Sequence, residues 1–244
     1  MCTVTFIPVR EGYVITSNRD EKFSRKQAIP PVSYVENEIL IICPKDADAG
    51  GTWIAMRENG DASVLLNGAF EKHISQPPYA KSRGIIFLDI FTHVTPLPYF
   101  MQMNLQGIEP FTMIIFNGSL NECRWDGNNK HCRYLRKDQP YIWSSATLYE
   151  NAVVRNREQW FATFLSKNPH PSREEIFSFH QFAGDGDVKN DLLMNRNGLL
   201  STVSITAVTL KKNRCKMHYV DLKDNKAYTE EILLFSSLQQ NGTF

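Results

Sequence analysis

Hydrophobic and polar residues alternate through the first third of the chain, which is the period of a half-buried β-strand. Turn-forming residues interrupt this alternation at short intervals, as at residues 58–61. Gly50 and Gly51 open the last of these segments, and such a pair permits unusual dihedral angles or a close approach of two backbones. The pattern predicts three successive β-hairpins, over residues 2–19, 31–44 and 50–68.

Helical periodicity follows in the middle of the chain. Residues 82–95 carry a wide apolar face, and Pro96 and Pro98 are expected to end that helix. Strands are predicted after it, and then a long amphipathic helix over residues 148–168. The predicted buried side of this helix consists of Ala152, Val153, Trp160, Phe161 and Phe164.

The last quarter of the chain contains one more helix and then strands. Ser172 and Glu175 form a capping-box pattern before an apolar run, which predicts the start of a helix. The strands that close the chain are predicted over residues 201–210, 214–222 and 226–235.

The order of these elements favours one fold class. Strands come first, helices lie in the middle and strands return at the end, so the chain does not alternate strand and helix as βαβ units do. This order predicts an α+β fold with antiparallel sheets covered by helices. No linker, repeat or low-complexity tract divides the 244 residues, so we expect a single domain over residues 1–244.

Composition and charge exclude several classes of partner. Hydrophobic residues make up 42% of the chain, which is enough for a large core, and the net charge is only +1. Without clustered basic residues, no nucleic-acid partner is expected. No apolar run approaches the roughly 20 residues that span a bilayer, and the first residues lack a signal-peptide pattern. We therefore expect a cytoplasmic protein with no membrane span. The sequence does not determine its oligomeric state.

The five cysteines are odd in number and irregularly spaced, so they do not form a disulfide framework. Cys123 and Cys132, with His131 between them, lack the spacing of a zinc site. Cys43 and Cys215 fall in apolar or strand-like segments and are expected to be unreactive core thiols. We expect no bound metal and no cofactor.

Cys2 is a candidate nucleophile. The residue is small enough for the initiator methionine to be removed, which would leave its α-amine free. Such an amine has a pKa of about 7.7–8.0, close to the optimum of a general base at neutral pH. One residue would then supply both the thiol and its base. The alternative is a buried strand cysteine without a catalytic role.

Polar residues elsewhere in the first hairpins suit such a nucleophile. Arg19 can stabilise a thiolate, Asp20 can accept a hydrogen bond from the terminal ammonium, and Asn67 can donate to an oxyanion. Strand alternation places Arg19 and Asp20 on opposite faces, so both can face Cys2 only if the backbone turns at Asp20. The alternative is a polar strand exit in which Arg19 pairs with a carboxylate for structural reasons.

Four segments carry a resemblance to a known family: MCTVTF, SNRDE, AGGTW and LLNG, in this order. On these segments the chain resembles the NRDE family, also called the transport and Golgi organisation 2 family. A looser resemblance covers most of the chain. It implies a four-layer αββα sandwich of the N-terminal-nucleophile (Ntn) hydrolase type, with two antiparallel sheets. It also implies a layout similar to choloylglycine hydrolase and penicillin V acylase, which cleave linear amides with an N-terminal cysteine.

The resemblance implies roles for individual residues. Cys2 corresponds to the nucleophile, Arg19 to the arginine beside the thiol, and Asn67 to an oxyanion donor. Asp20 corresponds to the partner of the amine, although the hydrolases place this aspartate two residues after the arginine. Ser145 stands where many family members carry an asparagine, so it is the expected substrate or oxyanion contact. The hydrolases also carry an arginine late in the chain, for which this sequence offers no convincing match.

Two functions are consistent with these residues. The first is a Cys-nucleophile hydrolase that cleaves a linear amide C–N bond of a small acylated substrate. The second, which the resemblance to eukaryotic relatives implies, is a non-enzymatic binding or trafficking protein for haem or lipid-like ligands on the same scaffold. The expected partner is accordingly a small-molecule substrate or a hydrophobic ligand.

Overall fold

A computed structural model describes residues 3–234 of the protein. The strands are β1 (Thr3–Val9), β2 (Gly12–Lys22), β3 (Ile29–Glu36), β4 (Ile39–Lys45), β5 (Ile54–Arg57), β6 (Ala62–Asn67), β7 (Phe111–Phe116), β8 (Leu120–Trp125), β9 (Lys130–Leu135), β10 (Tyr141–Ser144), β11 (Asn195–Arg196), β12 (Leu200–Lys211), β13 (Arg214–Asp221) and β14 (Lys226–Leu233). The helices are α1 (Arg83–Phe91), α2 (Pro96–Gln102), α3 (Asn151–Lys167) and α4 (Arg173–Phe182). In this part of the chain no helix is long and apolar enough to cross a membrane.

The strands form two antiparallel sheets. Sheet I has the strand order β10-β1-β2-β12-β13-β14, with β11 paired beside β12. Sheet II has the order β3-β4-β5-β6-β7-β8-β9. Sheet II therefore pairs its strands in their order along the chain. Sheet I instead needs β10 and β12, from the second half of the chain, to flank the first hairpin.

Hydrophobic contacts arrange these elements in four layers. Between the sheets, Phe6 and Ile15 of sheet I share one core cluster with Val64 and Leu66 of sheet II. A second cluster joins the outer face of sheet II to α1 and α2, and a third joins the outer face of sheet I to α3 and α4. The layer order is helix, sheet, sheet, helix, so the predicted αββα sandwich with two antiparallel sheets is confirmed.

The local sequence signals explain most of the elements. The three predicted hairpins are present as β1–β2, β3–β4 and β5–β6. Asn37 and Glu38 form the second turn with φ angles of 51° and 64°, a left-handed conformation that asparagine tolerates better than most residues. The capping box of Ser172 and Glu175 is present at the start of α4, where each side chain satisfies a backbone N–H of the other residue.

Two helical predictions were wrong in detail. Pro96 was expected only to end a helix, but α1 ends earlier and Pro96 begins α2. The N–H of the first residue of a helix has no intrahelical acceptor, so proline, which lacks this N–H, is tolerated there. On α3, Ala152 is exposed, whereas Arg157 is buried together with Phe161. Hydrophobic periodicity missed Arg157 because its burial depends on hydrogen-bond acceptors from other elements.

Gly50 and Gly51 bring two backbones together, as the sequence indicated. Gly50 has a φ of +69°, and a Cβ atom on Gly51 would lie 2.4 Å from the carbonyl carbon of Gly84. Gly84 belongs to the first turn of α1, and its carbonyl oxygen accepts a hydrogen bond of 3.4 Å from the N–H of Thr52. The start of α1 is therefore held against the segment that leads into β5.

Candidate active site

The candidate site lies at the end of β2, beside the start of β1. Cys2, the predicted nucleophile, lies outside the described residues, and Thr3 is the first residue that the structure describes. Thr3 pairs with Asn18 in the antiparallel ladder between β1 and β2. The start of β1 is therefore level with residues 18–21, which we call the polar segment.

The polar segment divides its side chains between the two faces of sheet I. Ile15 packs between the sheets and Val14 packs against the helices. Strand alternation then directs Arg19 between the sheets and Asp20 towards the helix layer. β2 continues through Asp20 to Lys22, so the backbone does not turn at Asp20 and the two charged side chains stay on opposite faces.

Arg19 is buried between the sheets, with its guanidinium held from two sides. Nη2 donates a hydrogen bond of 2.5 Å to Oδ2 of Asp46, and the guanidinium carbon lies 4.3 Å from the centre of the Trp53 ring. Glu21, two residues along the strand, approaches the same Nη2 to 3.7 Å. An arginine that is both ion-paired and stacked has its planar group fixed in direction.

Asp46 binds two arginines at the site. Arg25 donates to both of its carboxylate oxygens, at 2.8 and 3.0 Å, and the N–H of Ala49 donates to Oδ1. Burial opposes ionisation of Asp46. The hydrogen bonds from Arg25 and Ala49 and the charges of Arg19 and Arg25 outweigh it, so the pKa of the carboxyl group is lowered. Arg19 is thus paired with a carboxylate, as the alternative interpretation of a structural ion pair predicted. The only signal of Asp46 in the sequence is its position shortly before the glycine pair.

Asp20 accepts two short hydrogen bonds from hydroxyl groups. The hydroxyl of Tyr149 donates to Oδ2 and that of Thr202 donates to Oδ1, each at 2.5 Å. Thr202 reaches Asp20 because the register of β12 against β2 shifts between Thr202 and Ser204, which leaves Val203 as a bulge. The extra residue turns Thr202 to the helix-covered face. Asp20 is thus held in place by donors from two distant parts of the chain, neither of which the sequence indicated.

Arg157 of α3 is a second buried arginine near the start of β1. It donates hydrogen bonds to the hydroxyl of Thr3 and to the backbone carbonyl oxygens of Asn190 and Asp191. Its guanidinium also lies 3.7 Å from the centre of the Tyr149 ring. Arg157 therefore connects α3 to Thr3 at the start of β1 and to Tyr149, which binds Asp20 of the polar segment.

Asn18 connects β2 to α4. Its Nδ2 donates to the carbonyl oxygens of His180 and Leu192, so its Oδ1 accepts the 2.6 Å hydrogen bond from Nδ1–H of His180. Nε2 of His180 then accepts from the hydroxyl of Thr5 at 2.8 Å. Burial, and after it the charge of Arg157, lowers the pKa of His180 to about 3. The ring is neutral, and the first residue of the polar segment fastens the strand to the helix layer.

Asn67 and Ser145 meet where the two sheets approach each other. Asn67 ends β6 of sheet II, and Ser145 follows β10 of sheet I. The Ser145 hydroxyl donates to the backbone carbonyl of Asn67 at 2.9 Å and lies 3.1 Å from Oγ1 of Thr147. A hydroxyl has one proton, so Ser145 cannot donate to an oxyanion while it holds Asn67. Its predicted contact with substrate stays a prediction.

A cavity of about 390 Å³ opens beside these residues. Its lining includes Arg19, Trp53 and Asn67, and also residues 81–84 at the start of α1. Asp20 and Ser145 are not among the lining residues in the described part of the chain. Of the four predicted site residues that the structure describes, Arg19 and Asn67 therefore line one cavity, whereas Asp20 and Ser145 do not.

The lining of the cavity near the start of α1 is polar, with charges of opposite sign close together. Arg83 pairs with Glu109 at 3.0 Å, and Lys81 pairs with Asp89 at 3.0 Å. Within residues 3–234, no group of three or more histidine, cysteine, aspartate or glutamate side chains is placed to hold a metal ion. The described lining of the cavity thus contains a buried cation (Arg19), an aromatic residue (Trp53), an amide (Asn67) and charged side chains that can form hydrogen bonds.

Solved structures of other proteins share this fold. A cysteine-to-alanine mutant of conjugated bile acid hydrolase from Clostridium perfringens has a TM-score of 0.60 at 10% identity, covering 99% of this chain and 100% of that chain. An arginine-to-leucine variant of the same enzyme gives the same values. The N-acylethanolamine-hydrolyzing acid amidase orthologue of Caenorhabditis elegans has a TM-score of 0.57 at 12% identity, covering 85% of this chain and 92% of that chain. At such identities the similarity shows the fold alone, which is that of the Ntn hydrolases.

Sequence similarity adds the family. No curated protein matches the chain significantly. The family model of Transport and Golgi organisation 2 matches residues 1–228, which include all four motifs that carried the resemblance. The chain belongs to the Transport and Golgi organisation 2 family.

Proposed function

We propose that the protein is a hydrolase in which the thiol of Cys2 cleaves a linear amide C–N bond of a small acylated substrate. The observation that carries this proposal is the cavity shared by Arg19 and Asn67. A guanidinium stabilises a thiolate, and a side-chain amide stabilises an oxyanion. The two residues come from different sheets, and β1, which begins directly after Cys2, contacts β6, which ends at Asn67.

The proposed reaction has two stages. The sulfur of Cys2 attacks the amide carbonyl carbon while the thiol proton passes to the α-amine of the same residue. The C–N bond of the tetrahedral intermediate then breaks, the ammonium returns the proton to the leaving nitrogen, and a thioester remains. Water, deprotonated by the same amine, attacks the thioester; the C–S bond breaks and the thiol regains its proton. Removal of Met1 is required, because an amide nitrogen is not a base.

The opposite directions of Arg19 and Asp20 suit this chemistry. A terminal cysteine offers two groups, a side chain that points to one face of a sheet and an amine that lies near the plane of the strand. We assign the thiolate to Arg19 on the inter-sheet face and the ammonium to Asp20. Each charged residue then serves a different group of Cys2, so no backbone turn at Asp20 is needed. The hydroxyls of Tyr149 and Thr202 keep Asp20 in position.

Asn67 is assigned the oxyanion. Asn67 lines the cavity and its backbone carbonyl accepts a hydrogen bond from Ser145, so the main chain that carries the proposed donor is anchored beside sheet I. Removal of one oxyanion donor typically lowers the rate by about 10²–10³-fold. Ser145 supports catalysis in this scheme by positioning Asn67, and direct contact with substrate would require its hydroxyl to exchange its present partner.

The test is covalent labelling of the full-length protein with a panel of electrophilic amide and β-lactam probes, read by intact mass and peptide mapping. The N-terminal residue is determined first. Protein that begins at Cys2 should label there, Cys2→Ser should not, and Asn67→Ala should label about 10²–10³-fold more slowly. Asn129→Ala, an exposed turn residue, is the matched control and should label normally. Processed protein that no probe labels would refute the hydrolase.

The second candidate function is binding of haem or lipid-like ligands without catalysis. The ring of Trp53 on the cavity wall favours a hydrophobic ligand. Haem and fatty-acid titrations of the wild type and Cys2→Ala separate the two candidates, because binding that survives Cys2→Ala in protein that no probe labels supports the second. A small-molecule partner, a cytoplasmic location and a single-domain chain belong to the proposal in either case.

A further inference from the structure

Cys123 of β8 and Cys132 of β9 face each other across two neighbouring strands of sheet II. They are partners in the antiparallel ladder, and their sulfur atoms lie 2.6 Å apart. Directly opposed residues of such a ladder have Cα atoms about 4.5–5.5 Å apart, which is within the range that a disulfide spans. The backbone thus already holds the two residues at the separation that a disulfide needs.

We propose that Cys123 and Cys132 are a redox-active dithiol that forms a reversible cross-strand disulfide. The spacing of these residues along the sequence indicated neither a disulfide framework nor a zinc site. Their pairing arises from the register of the β8–β9 hairpin, in which residues nine positions apart become direct neighbours. In a reducing compartment a pair of this kind is typically catalytic or redox-sensing rather than a permanent crosslink.

The two thiols differ in access and acidity. Cys132 is exposed on the edge strand of sheet II, and Cys123 is buried. The hydrogen bond from the Cys123 thiol lowers the pKa of Cys132, although burial and the charge of Glu122 oppose this. The same hydrogen bond, with burial, raises the pKa of Cys123. Cys132 is therefore the thiolate that meets an oxidant first, and Cys123 is the resolving thiol.

The exposed position of Cys132 on the edge strand β9 allows an oxidant to reach it. Glu122, whose charge raises the pKa of both thiols, is bound by Arg124 at 2.9 Å and by Arg133 at 2.8 Å. These arginines compensate the negative charge that would otherwise disfavour a thiolate at Cys132. The remaining described cysteines, Cys43 and Cys215, are buried, and burial raises the pKa of each to about 12.

Hydrogen peroxide is a sufficient oxidant for the proposed step. The Cys132 thiolate attacks one peroxide oxygen, the O–O bond breaks, and a sulfenic acid and a hydroxide form; the hydroxide takes up a proton. The Cys123 sulfur then attacks the Cys132 sulfur, the S–S bond forms and the S–O bond breaks. The second hydroxide leaves as water with the proton of Cys123. The two thiols lose two electrons and peroxide becomes two waters, and a thiol reductant reverses the change.

The experiment is a peroxide titration of the full-length protein, followed by alkylation of the remaining thiols and peptide mapping. We expect one crosslinked peptide pair, Cys123 with Cys132, lighter by two hydrogen atoms and released by dithiothreitol. Cys132→Ser, a change at an exposed position, should abolish the crosslink while the protein keeps its thermal unfolding transition. Cys2→Ser is the matched control and should form the crosslink as the wild type does.

Three results would overturn the proposal. Both cysteines could remain fully alkylatable after peroxide, Cys132 could accumulate as a sulfinic acid beside a free Cys123, or Cys132→Ser could crosslink as readily as the wild type. Because the crosslink is read at the peptide level and also in Cys2→Ser, its outcome is independent of whether the protein hydrolyses amides.

Discussion

The carboxylate of Asp46 accepts a 2.5 Å hydrogen bond from Arg19 and so joins the end of β2 in sheet I to the segment after β4 in sheet II. The stacking of Arg19 on Trp53 fixes the same guanidinium from a second direction. A buried cation needs a partner to offset the cost of its desolvation. Asp46 therefore decides where the positive charge beside the start of β1 is placed, which makes it the first residue to test.

Asp46→Asn should destabilise the protein. The substitution leaves Arg19 without its carboxylate and weakens both bonds from Arg25, and a lost hydrogen bond to a charged group costs about 1.5–3 kcal/mol. The free energy of unfolding, measured by urea titration at neutral pH, should fall by that amount or more. Asp48→Asn, a neighbouring carboxylate that does not contact Arg19, should change it by less than about 0.5 kcal/mol. Equal effects of the two substitutions would show that the Arg19 contact is not stabilising.

Tyr149→Phe should affect Asp20 without removing the aromatic ring that Arg157 stacks on. One of the two short hydrogen bonds to Asp20 is lost, with an expected cost of about 1–2 kcal/mol in the free energy of unfolding. If Asp20 orients the amine of Cys2, the pH profile of probe labelling should shift as well. Tyr134→Phe, at an exposed position of β9, should leave stability and profile unchanged. A normal labelling profile in stable Tyr149→Phe protein would remove Asp20 from the proposed reaction.

Stability at mildly acidic pH should depend on His180. The pKa of His180 is lowered to about 3 in the folded protein, whereas a histidine in an unfolded chain titrates near 6.5. Between these values the unfolded chain binds the proton and the folded chain does not. The contribution of the neutral His180 ring to the free energy of unfolding is therefore complete above about pH 6.5 and declines as the pH falls towards about 3.

Urea unfolding at pH 7 and pH 5 measures this contribution. From His180 alone, the free energy of unfolding should be lower at pH 5 by about 2 kcal/mol. His180→Leu should reduce the difference, although it also lowers stability at pH 7 because the Thr5 hydroxyl and Oδ1 of Asn18 lose their hydrogen bonds to the ring. His170→Leu, at an exposed position, should preserve the difference. An unchanged pH dependence in His180→Leu would mean that other groups cause it.

Gly51→Ala should be more damaging than an alanine at a glycine with open surroundings. The new Cβ atom would lie 2.4 Å from the carbonyl carbon of Gly84, so the backbone of α1 or of the segment before β5 must move. We expect a cost of about 2–3 kcal/mol. Gly118→Ala, where φ is +82° and no atom lies within 4 Å, should cost about 1 kcal/mol from backbone strain. Thermal or urea unfolding gives both values, and the reverse order would contradict the close approach.

Most of the secondary structure was predictable from the sequence because it depends on local signals. Strand alternation, turn residues at fixed offsets and the capping box at Ser172 act over a few residues, and the structure contains the hairpins and helices they predict. The resemblance of four short motifs also identified the family and the fold. The candidate site was predicted less completely. The sequence pointed to Arg19 and Asn67, which line a common cavity in the structure. It did not point to Asp46 and Tyr149, which bind Arg19 and Asp20.

The sequence by itself determined the α+β class, the opposite directions of Arg19 and Asp20, and the residue types that a thiol hydrolase would need; its resemblance to a known family implied the αββα layers. Tertiary structure alone decided the partners of those residues. Asp46 reaches Arg19 only when sheet II packs on sheet I, and Thr202 reaches Asp20 only through a bulge in a strand from the other end of the chain. Register likewise made neighbours of Cys123 and Cys132. Periodicity specifies which face a side chain occupies, whereas the groups opposite it depend on contacts between residues far apart in sequence, for which one sequence carries no local signal.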